Sequence, residues 1–459
     1  MFYEDMRRST NAQLRRKLDD LTTHLRRPYE LAERTQCSID RVTFDSTTIN
    51  LAYTATCDFP ALLGRPFMND LLKRDPDLLF KHWKAIRFWL IYLISYHVVD
   101  EGGTIPARHR DKDPGACVCK FISAVIRVDN TPFMVQGAFK NTFTGDRELF
   151  DAVAHHWLKQ DSEIYMGDDE AEVEEWMESF SPYPTMTMAD FIVDTFTLTR
   201  RSTTYVTRLL KMAGDNSDLV AGTVVQRLYA LTRIRKPTKK VFHDMYAYMN
   251  MFPHLFHPSE RMIQGALVDN RVIQVQTKAL RRCINMYNSD TISKQDLLKT
   301  VAIAMSVFHI SMSPRPYPST VRRAIKSRFI ESFVQLYTVT RLQDLDIHER
   351  QYSPFTRIIP GHLAVYSVLM DTIGALKRLK PKWVRDLQNV SALRELWNAT
   401  IEKAIYASIF DITWKRNKLR CRGVSAYLIF LFYFILLFLL LFDYMRRNLY
   451  IANSANRII

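Results

Sequence analysis

Apolar residues recur at spacings of three and four positions through most of the chain after Pro184. This spacing places apolar side chains on one face of an α-helix, and proline, asparagine, aspartate or serine residues separate the segments. The segments with this pattern are 189–212, 217–233, 241–251, 261–287, 294–312, 319–342, 362–379 and 384–412. No fixed-length repeat relates them. The pattern therefore predicts an irregular helical bundle in the C-terminal half.

Two N-terminal regions have a different pattern, in which apolar and polar residues alternate. The alternation lies on both sides of a polar triplet, 45–47, in the segment 41–57, and it recurs in 119–143. Alternating β-branched residues around a polar turn are typical of a β-hairpin. We therefore expect a small sheet in the first 150 residues. The apolar segment 83–99 is then predicted to be the buried helix of this domain, with an interfacial helix at a membrane as the alternative.

A third pattern is the uncharged apolar run 424–442. As a helix, a run of this length spans roughly 30 Å, which is the thickness of the hydrocarbon core of a bilayer. The sequence thus predicts one transmembrane helix, with the rest of the chain in the cytosol because more cations precede the run than follow it. The predicted membrane-anchoring residues are Lys415, Arg416, Lys418, Arg420, Arg422, Tyr427, Tyr433, Arg446 and Arg447. Two glycosylation sequons, at Asn389 and Asn398, would favour a lumenal body instead.

Taken together, these patterns predict a mainly α fold that is α+β overall. It comprises a small N-terminal β-hairpin domain with helices, a C-terminal irregular helical bundle and a single C-terminal transmembrane helix. An acidic stretch that ends in prolines supplies the best domain boundary. The predicted divisions are an N-terminal domain at 1–160, a linker at 161–184, a basic helical domain at 185–414, a basic juxtamembrane segment at 415–423, the membrane span at 424–442 and a tail at 443–459.

The net charge of +15 indicates an anionic partner, because most of the excess positive charge lies in the predicted helical domain. Two segments concentrate it, and serine or threonine at the start of the second could cap a helix that presents cations to phosphate. The predicted nucleic-acid or anion-binding residues are Arg233, Arg235, Lys236, Lys239, Lys240, Arg315, Arg322, Arg323, Lys326 and Arg328. Tyr246, Tyr248 and Tyr317 could stack on bases of a single strand. The alternative is that these cations form a solvated helix face.

Enzyme signatures are mostly missing from the sequence. No two glycines have the spacing G-x-G, so dinucleotide-binding and kinase glycine loops are excluded, as is a Walker A motif. The pair Cys117 and Cys119 lacks a second ligand pair and predicts structural thiols rather than a metal site. Six sparse cysteines favour a reducing compartment. No metal site and no cofactor are predicted.

The sequence therefore favours a non-enzymatic, tail-anchored scaffold or assembly factor whose basic helical domain binds an anionic partner at a membrane. Anionic lipid, nucleic acid and an acidic protein are the candidate partners, and homo-oligomerisation stays open. The first alternative is an RNA-binding, nucleoprotein-like protein, viral or cellular, with a hydrophobic tail. The second is an enzyme whose site is built from dispersed residues.

Overall fold

The computed structural model describes ten continuous ranges of the chain and parts of 12–30. The ranges are 44–63, 77–95, 114–128, 145–159, 188–198, 202–256, 261–312, 318–339, 358–363 and 365–388. The described residues contain α-helices, short turns and no β-strand. The predicted α+β fold is therefore wrong, and the protein is helical wherever the structure describes it.

After the helical residues within 12–30, five helices follow along the described chain. They are α1 (Ser46–Leu63), α2 (Asp77–Phe80), α3 (Trp83–Ser95), α4 (Pro114–Val128) and α5 (Arg147–Lys159). Helix α1 packs against α4 and α3, and α3 packs against α4 and α5. Most of α3 is buried, which agrees with the buried helix predicted for this segment.

The first predicted hairpin is wrong because its polar turn is a helix cap. The carboxylate of Asp45 accepts hydrogen bonds from the backbone nitrogen of Thr48, at 2.8 Å, and from the hydroxyl of Thr48, at 2.7 Å. An aspartate in this position satisfies an otherwise unpaired amide at a helix N-terminus. The triplet 45–47 therefore starts α1 rather than turning between two strands.

The second predicted hairpin, at 119–143, is wrong for a related reason. Its first ten residues belong to α4, and 129–143 lies outside the described residues. Val118, Phe121, Ile122 and Val125 are fully buried, at spacings of three, one and three. These positions share one face of a helix, so burial against α1 overrides the β-propensity of the valines and isoleucines.

Twelve further helices follow. They are α6 (Met188–Leu198), α7 (Ser202–Met212), α8 (Ser217–Arg233), α9 (Lys239–Leu255), α10 (Arg261–Asp269), α11 (Val272–Asn288), α12 (Lys294–Met312), α13 (Pro318–Lys326), α14 (Phe329–Val339), α15 (Ile359–His362), α16 (Tyr366–Lys377) and α17 (Pro381–Gln388). Helix α8 lies among α9, α10 and α11, while α11 also contacts α12, α13 and α14. These contacts make α8 and α11 the centre of this half of the fold.

Buried apolar side chains from Leu25 to Leu379 form one hydrophobic cluster. Helix α5 joins its two halves, since it packs against α3 on one side and α6, α7 and α8 on the other. The buried guanidinium of Arg227 in α8 donates to the carbonyl oxygen of Trp157 in α5, at 2.6 Å, and lies 4.9 Å from the centre of the Trp157 ring. The predicted linker 161–184 lies outside the described residues, and the domain boundaries stay predictions.

The membrane predictions also need correction. Among the described residues, no helix combines the length and the apolar character needed to cross a bilayer. This finding contradicts the prediction of a single-pass membrane protein with a transmembrane helix. The run 424–442 and the predicted membrane-anchoring residues, from Lys415 to Arg447, lie outside the described part of the chain.

Candidate anion-binding surface

The first predicted basic segment joins α8 to α9. Helix α8 ends at Arg233, the linker 234–238 follows, and the hydroxyl of Thr238 caps α9 by accepting from the backbone nitrogen of Val241, at 3.3 Å. Capping fixes the point at which the chain turns into α9. The segment therefore runs from one helix end, through a short linker, to the first turn of the next helix.

Arg282 in α11 holds this linker in place. Its Nη2 atom donates to the carbonyl oxygen of Ile234 and to that of Arg235, the second at 3.2 Å. Both carbonyls lie beyond the end of α8, where no further turn of helix would satisfy them. One guanidinium thus attaches the linker to α11 and positions the cations that follow it.

Tyr229, four residues before the end of α8, brings a further cation close to the linker. The ammonium nitrogen of Lys278 in α11 lies 4.4 Å from the centre of the Tyr229 ring, and the guanidinium carbon of Arg233 lies 5.8 Å from it. Both distances fall within the range of a cation–π interaction. Two cations from different helices therefore converge on one half-buried aromatic ring.

We define the basic surface as the set of side chains contributed by the end of α8, the linker, the start of α9 and α11. Its members are Tyr229, Arg233, Arg235, Lys236, Lys239, Lys278 and Arg282. The five cations other than Arg282 are exposed, and none of them forms an ion pair with the described carboxylates. The predicted Lys240 is adjacent and half-buried.

The charge of this surface is not offset by the chain that builds it. The sequence contains no aspartate or glutamate in 219–243 or in 272–289. Asp244, which follows the first of these stretches, is buried. An uncompensated group of cations attracts polyanions and exchanges its own counterions for their charged groups.

The second predicted basic segment is organised differently, because its cations contact other parts of the protein. Arg322 donates through Nε to Asp371 at 2.6 Å, and the ammonium of Lys326 lies 4.0 Å from the same carboxylate. Arg323 donates to the carbonyl oxygen of Val268 at 3.2 Å. These side chains join α13 to α16 and α10. The predicted Arg315 lies outside the described residues.

Arg328, the last predicted cation of that segment, lies near a like charge. Burial lowers the pKa of the Arg281 guanidinium, and the positive charge of Arg328 lowers it further, while Glu331 raises it. Glu331 itself accepts a hydrogen bond from Arg378 at 2.7 Å. The two basic segments therefore differ: the first lies open to solvent, and the second is largely occupied by internal contacts.

None of the tyrosines that were predicted to stack on bases belongs to the basic surface. Tyr248 is buried in α9, where burial raises the pKa of its phenol, so its ring cannot stack on a base. Tyr246 is half-buried, and Tyr317 lies outside the described residues. The sequence interpretation missed Tyr229, Lys278 and Arg282. The only signal for Lys278 and Arg282 was that α11 carries three cations and no carboxylate.

The described residues contain a polar cavity away from the basic surface. A cavity of about 400 Å³ lies between α5 and α7, where Arg208 donates through Nε to Asp151 at 2.8 Å. This ion pair takes up two of the three charged side chains that line the cavity, and Lys211 is the third. No group of histidine, cysteine and acidic side chains in the described part of the chain could hold a metal ion.

Comparisons with known protein families, with curated proteins and with solved structures found no match to this chain. The basic surface is therefore the feature of this chain that bears on its function.

Proposed function

We propose that this chain is a non-enzymatic binding protein whose basic surface holds an anionic polymer, and that single-stranded RNA is that polymer. The observation that carries the proposal is the set of five exposed cations of the basic surface, without a carboxylate in the segments 219–243 and 272–289 that supply them. Two of these cations, Arg233 and Lys278, lie against the ring of Tyr229. A scaffold or assembly role requires only such binding.

The arrangement of the cations supports a phosphate backbone as the ligand. They come from a helix end, a linker and two further helices, so they form an extended set rather than a single pocket. Lysine ammonium groups bind phosphate as point charges, without the strict geometry that arginine forks need. Binding would release counterions from several consecutive phosphates.

Tyr229 favours a single strand over a duplex. Proteins that bind single strands combine cations along the backbone with aromatic side chains on which bases stack. Tyr229 lies between the cations of α8 and α11, and its ring is half-buried rather than enclosed. A base stacked near this ring would place its phosphates close to Lys278 and Arg233.

The test is a titration of the full chain with a fluorescent single-stranded RNA oligonucleotide at several salt concentrations. For five phosphate contacts, the slope of log K against log salt should be about −3.5, since each contact in a single strand contributes about −0.7. The triple variant Arg235→Glu, Lys236→Glu and Lys239→Glu should lose most of the affinity.

A matched control reverses the same number of exposed charges elsewhere. The variant Lys377→Glu, Lys382→Glu and Arg385→Glu changes the net charge equally, but its residues lie in α16 and α17. If both triple variants lose affinity to the same extent, net charge rather than the basic surface governs binding. That outcome would contradict the proposal.

A further inference from the structure

Two thiols from different helices lie against each other in the N-terminal half of the fold. The sulfur of Cys57 in α1 is 3.0 Å from the sulfur of Cys117 in α4. The two residues are 60 positions apart in the chain, and their helices pack directly against each other. The packing of α1 on α4 therefore fixes the proximity of the two sulfurs.

The two cysteines differ in their access to solvent. Cys57 is half-buried, whereas only 3% of Cys117 is exposed. A small molecule in solution can therefore reach Cys57 more readily than Cys117. The sulfur of Cys117 is nevertheless in contact with that of Cys57, which is the relationship between an attacking thiol and a resolving thiol.

Tyr53 completes this group. It lies one helical turn before Cys57, and its hydroxyl is within hydrogen-bonding range of both sulfurs, with a distance of 3.7 Å to that of Cys117. Burial raises the pKa of Tyr53, and the two neighbouring sulfurs raise it further. The phenol therefore keeps its proton and can donate a hydrogen bond to a thiolate that forms beside it.

We propose that Cys57 and Cys117 form a redox-active dithiol that small hydroperoxides oxidise to an intramolecular disulfide. The inference is independent of the proposed RNA binding, because it concerns α1 and α4 rather than the basic surface. A disulfide bond is about 2.05 Å long, so the two sulfurs need to approach by only about 1 Å.

The reaction proceeds in two steps, and its atoms balance. The thiolate of Cys57 attacks the terminal oxygen of the hydroperoxide, the O–O bond breaks, and the departing alkoxide takes a proton to become an alcohol. The sulfur of Cys117 then attacks the sulfenic sulfur of Cys57, which forms the S–S bond and releases water as the Cys117 proton joins the departing hydroxide. Overall, two thiols and one hydroperoxide give one disulfide, one alcohol and one water.

The other described cysteines are poorly suited to this chemistry. Cys283 is completely buried, and burial raises the pKa of its thiol to about 12, so little thiolate forms. Cys119 is also buried, with 2% of its surface exposed. These two cysteines provide internal controls, because a general loss of thiols would affect them as well.

The experiment exposes the full chain to hydrogen peroxide, alkylates the remaining thiols and maps the cysteine peptides by mass spectrometry. The expected result is a loss of two of the six thiols, with a peptide that joins Cys57 to Cys117 and with Cys119 and Cys283 alkylated. A dithiol reductant should restore both thiols.

Two variants test the order of the steps. In Cys117→Ser, the sulfenic acid on Cys57 should persist and be trapped by dimedone, whereas Cys57→Ser should leave Cys117 unoxidised. The mapping in the unmodified chain does not depend on how well these variants fold. The proposal is overturned if both thiols survive the peroxide, or if Cys57 becomes linked to Cys37 or Cys421 instead of Cys117.

Discussion

The ammonium nitrogen of Lys278 lies 4.4 Å from the centre of the Tyr229 ring, so α11 and α8 meet at the basic surface through a cation–π contact. Lys278 is exposed and forms no ion pair with the described carboxylates, which leaves its charge available to a ligand. This contact positions a lysine that would otherwise sample many rotamers.

Replacing Lys278 with glutamine should weaken RNA binding for all sequences alike, because a phosphate contact carries no sequence information. The slope of log K against log salt should become shallower by about 0.7, which corresponds to one phosphate contact on a single strand. Titrations at four salt concentrations would measure it. An unchanged slope would remove Lys278 from the binding surface.

The prediction for Arg282 is of a different kind, because this residue donates hydrogen bonds to the linker rather than contacting the ligand. Arg282→Lys keeps the charge but loses the fork that reaches two carbonyl oxygens. We expect the free energy of unfolding to fall by about 1.5–3 kcal/mol, the usual range for hydrogen bonds to a charged group. RNA affinity should also fall, since Arg235 and Lys236 lose their fixed positions.

The adjacent residue provides the control for this variant. Arg281→Lys changes the same residue type on the same helix, but Arg281 makes no hydrogen bond within the described part of the chain. Urea unfolding and RNA titration of both variants separate the effect of the fork from that of a shortened side chain. Equal losses in the two variants would contradict the positioning role of Arg282.

The sequence was informative about helices whose ends carry clear signals. The predicted segments 217–233 and 294–312 coincide with α8 and α12. Asn216 caps α8, with its side chain accepting from the backbone nitrogen of Leu219 at 3.0 Å, and Asp296 and Ser293 exchange hydrogen bonds at the start of α12. Local capping chemistry is readable from a single sequence because its partners are three residues apart.

The strands were mispredicted because a local signal had two interpretations. Asp45 before a pair of polar residues is typical of both a turn and a helix cap, and only the packing of α1 on α4 decides between them. The candidate site was predictable in part, because the exposed cations at 233–239 stand close together in the sequence. Arg282 contacts the linker, and Asp371 pairs with Arg322, across about 50 positions of the chain. Contacts of this separation are not visible in local patterns.

Replacing Arg322 tests whether the second basic segment contributes to RNA binding. Its Nε atom lies 2.6 Å from a carboxylate oxygen of Asp371, but 42% of the Arg322 side chain is exposed, so the ion pair should stabilise the fold by less than about 1 kcal/mol. We therefore expect Arg322→Gln to leave RNA affinity within about twofold of the original, because Arg322 is already paired. If Arg322→Gln weakens binding as much as Lys278→Gln does, the binding surface includes α13.

Asp146 connects α3 to the start of α5. One carboxylate oxygen accepts from the backbone nitrogen of Leu149 at 3.0 Å, and the other accepts from Nε of Arg87. Asp146→Ala removes both contacts, so the free energy of unfolding should fall by about 3 kcal/mol, of which the helix cap contributes about 1 kcal/mol. Asp146→Asn retains a capping oxygen and should cost less. Urea unfolding that shows equal losses for the two variants would argue against the cap.

Two histidines of α9 should make the fold sensitive to mild acid. Burial lowers the pKa of His254, whose ring lies 5.5 Å from that of Phe196, and burial also lowers the pKa of His243. The unfolded chain therefore binds protons that the folded chain does not, once the pH falls below about 6.5, the ordinary histidine pKa. The stability is fully present above that pH and is lost as the pH falls through the lowered folded values.

The variant His254→Gln separates protonation from packing. Glutamine stays neutral at every pH, so its packing cost should be the same at pH 8 and pH 5.5, whereas the penalty for keeping His254 uncharged exists only at the lower pH. The free energy of unfolding, measured in urea, should therefore fall less between pH 8 and pH 5.5 in His254→Gln than in the original chain. If the variant and the original lose the same stability over this interval, His254 does not resist protonation in the folded state, and the acid sensitivity must come from other groups.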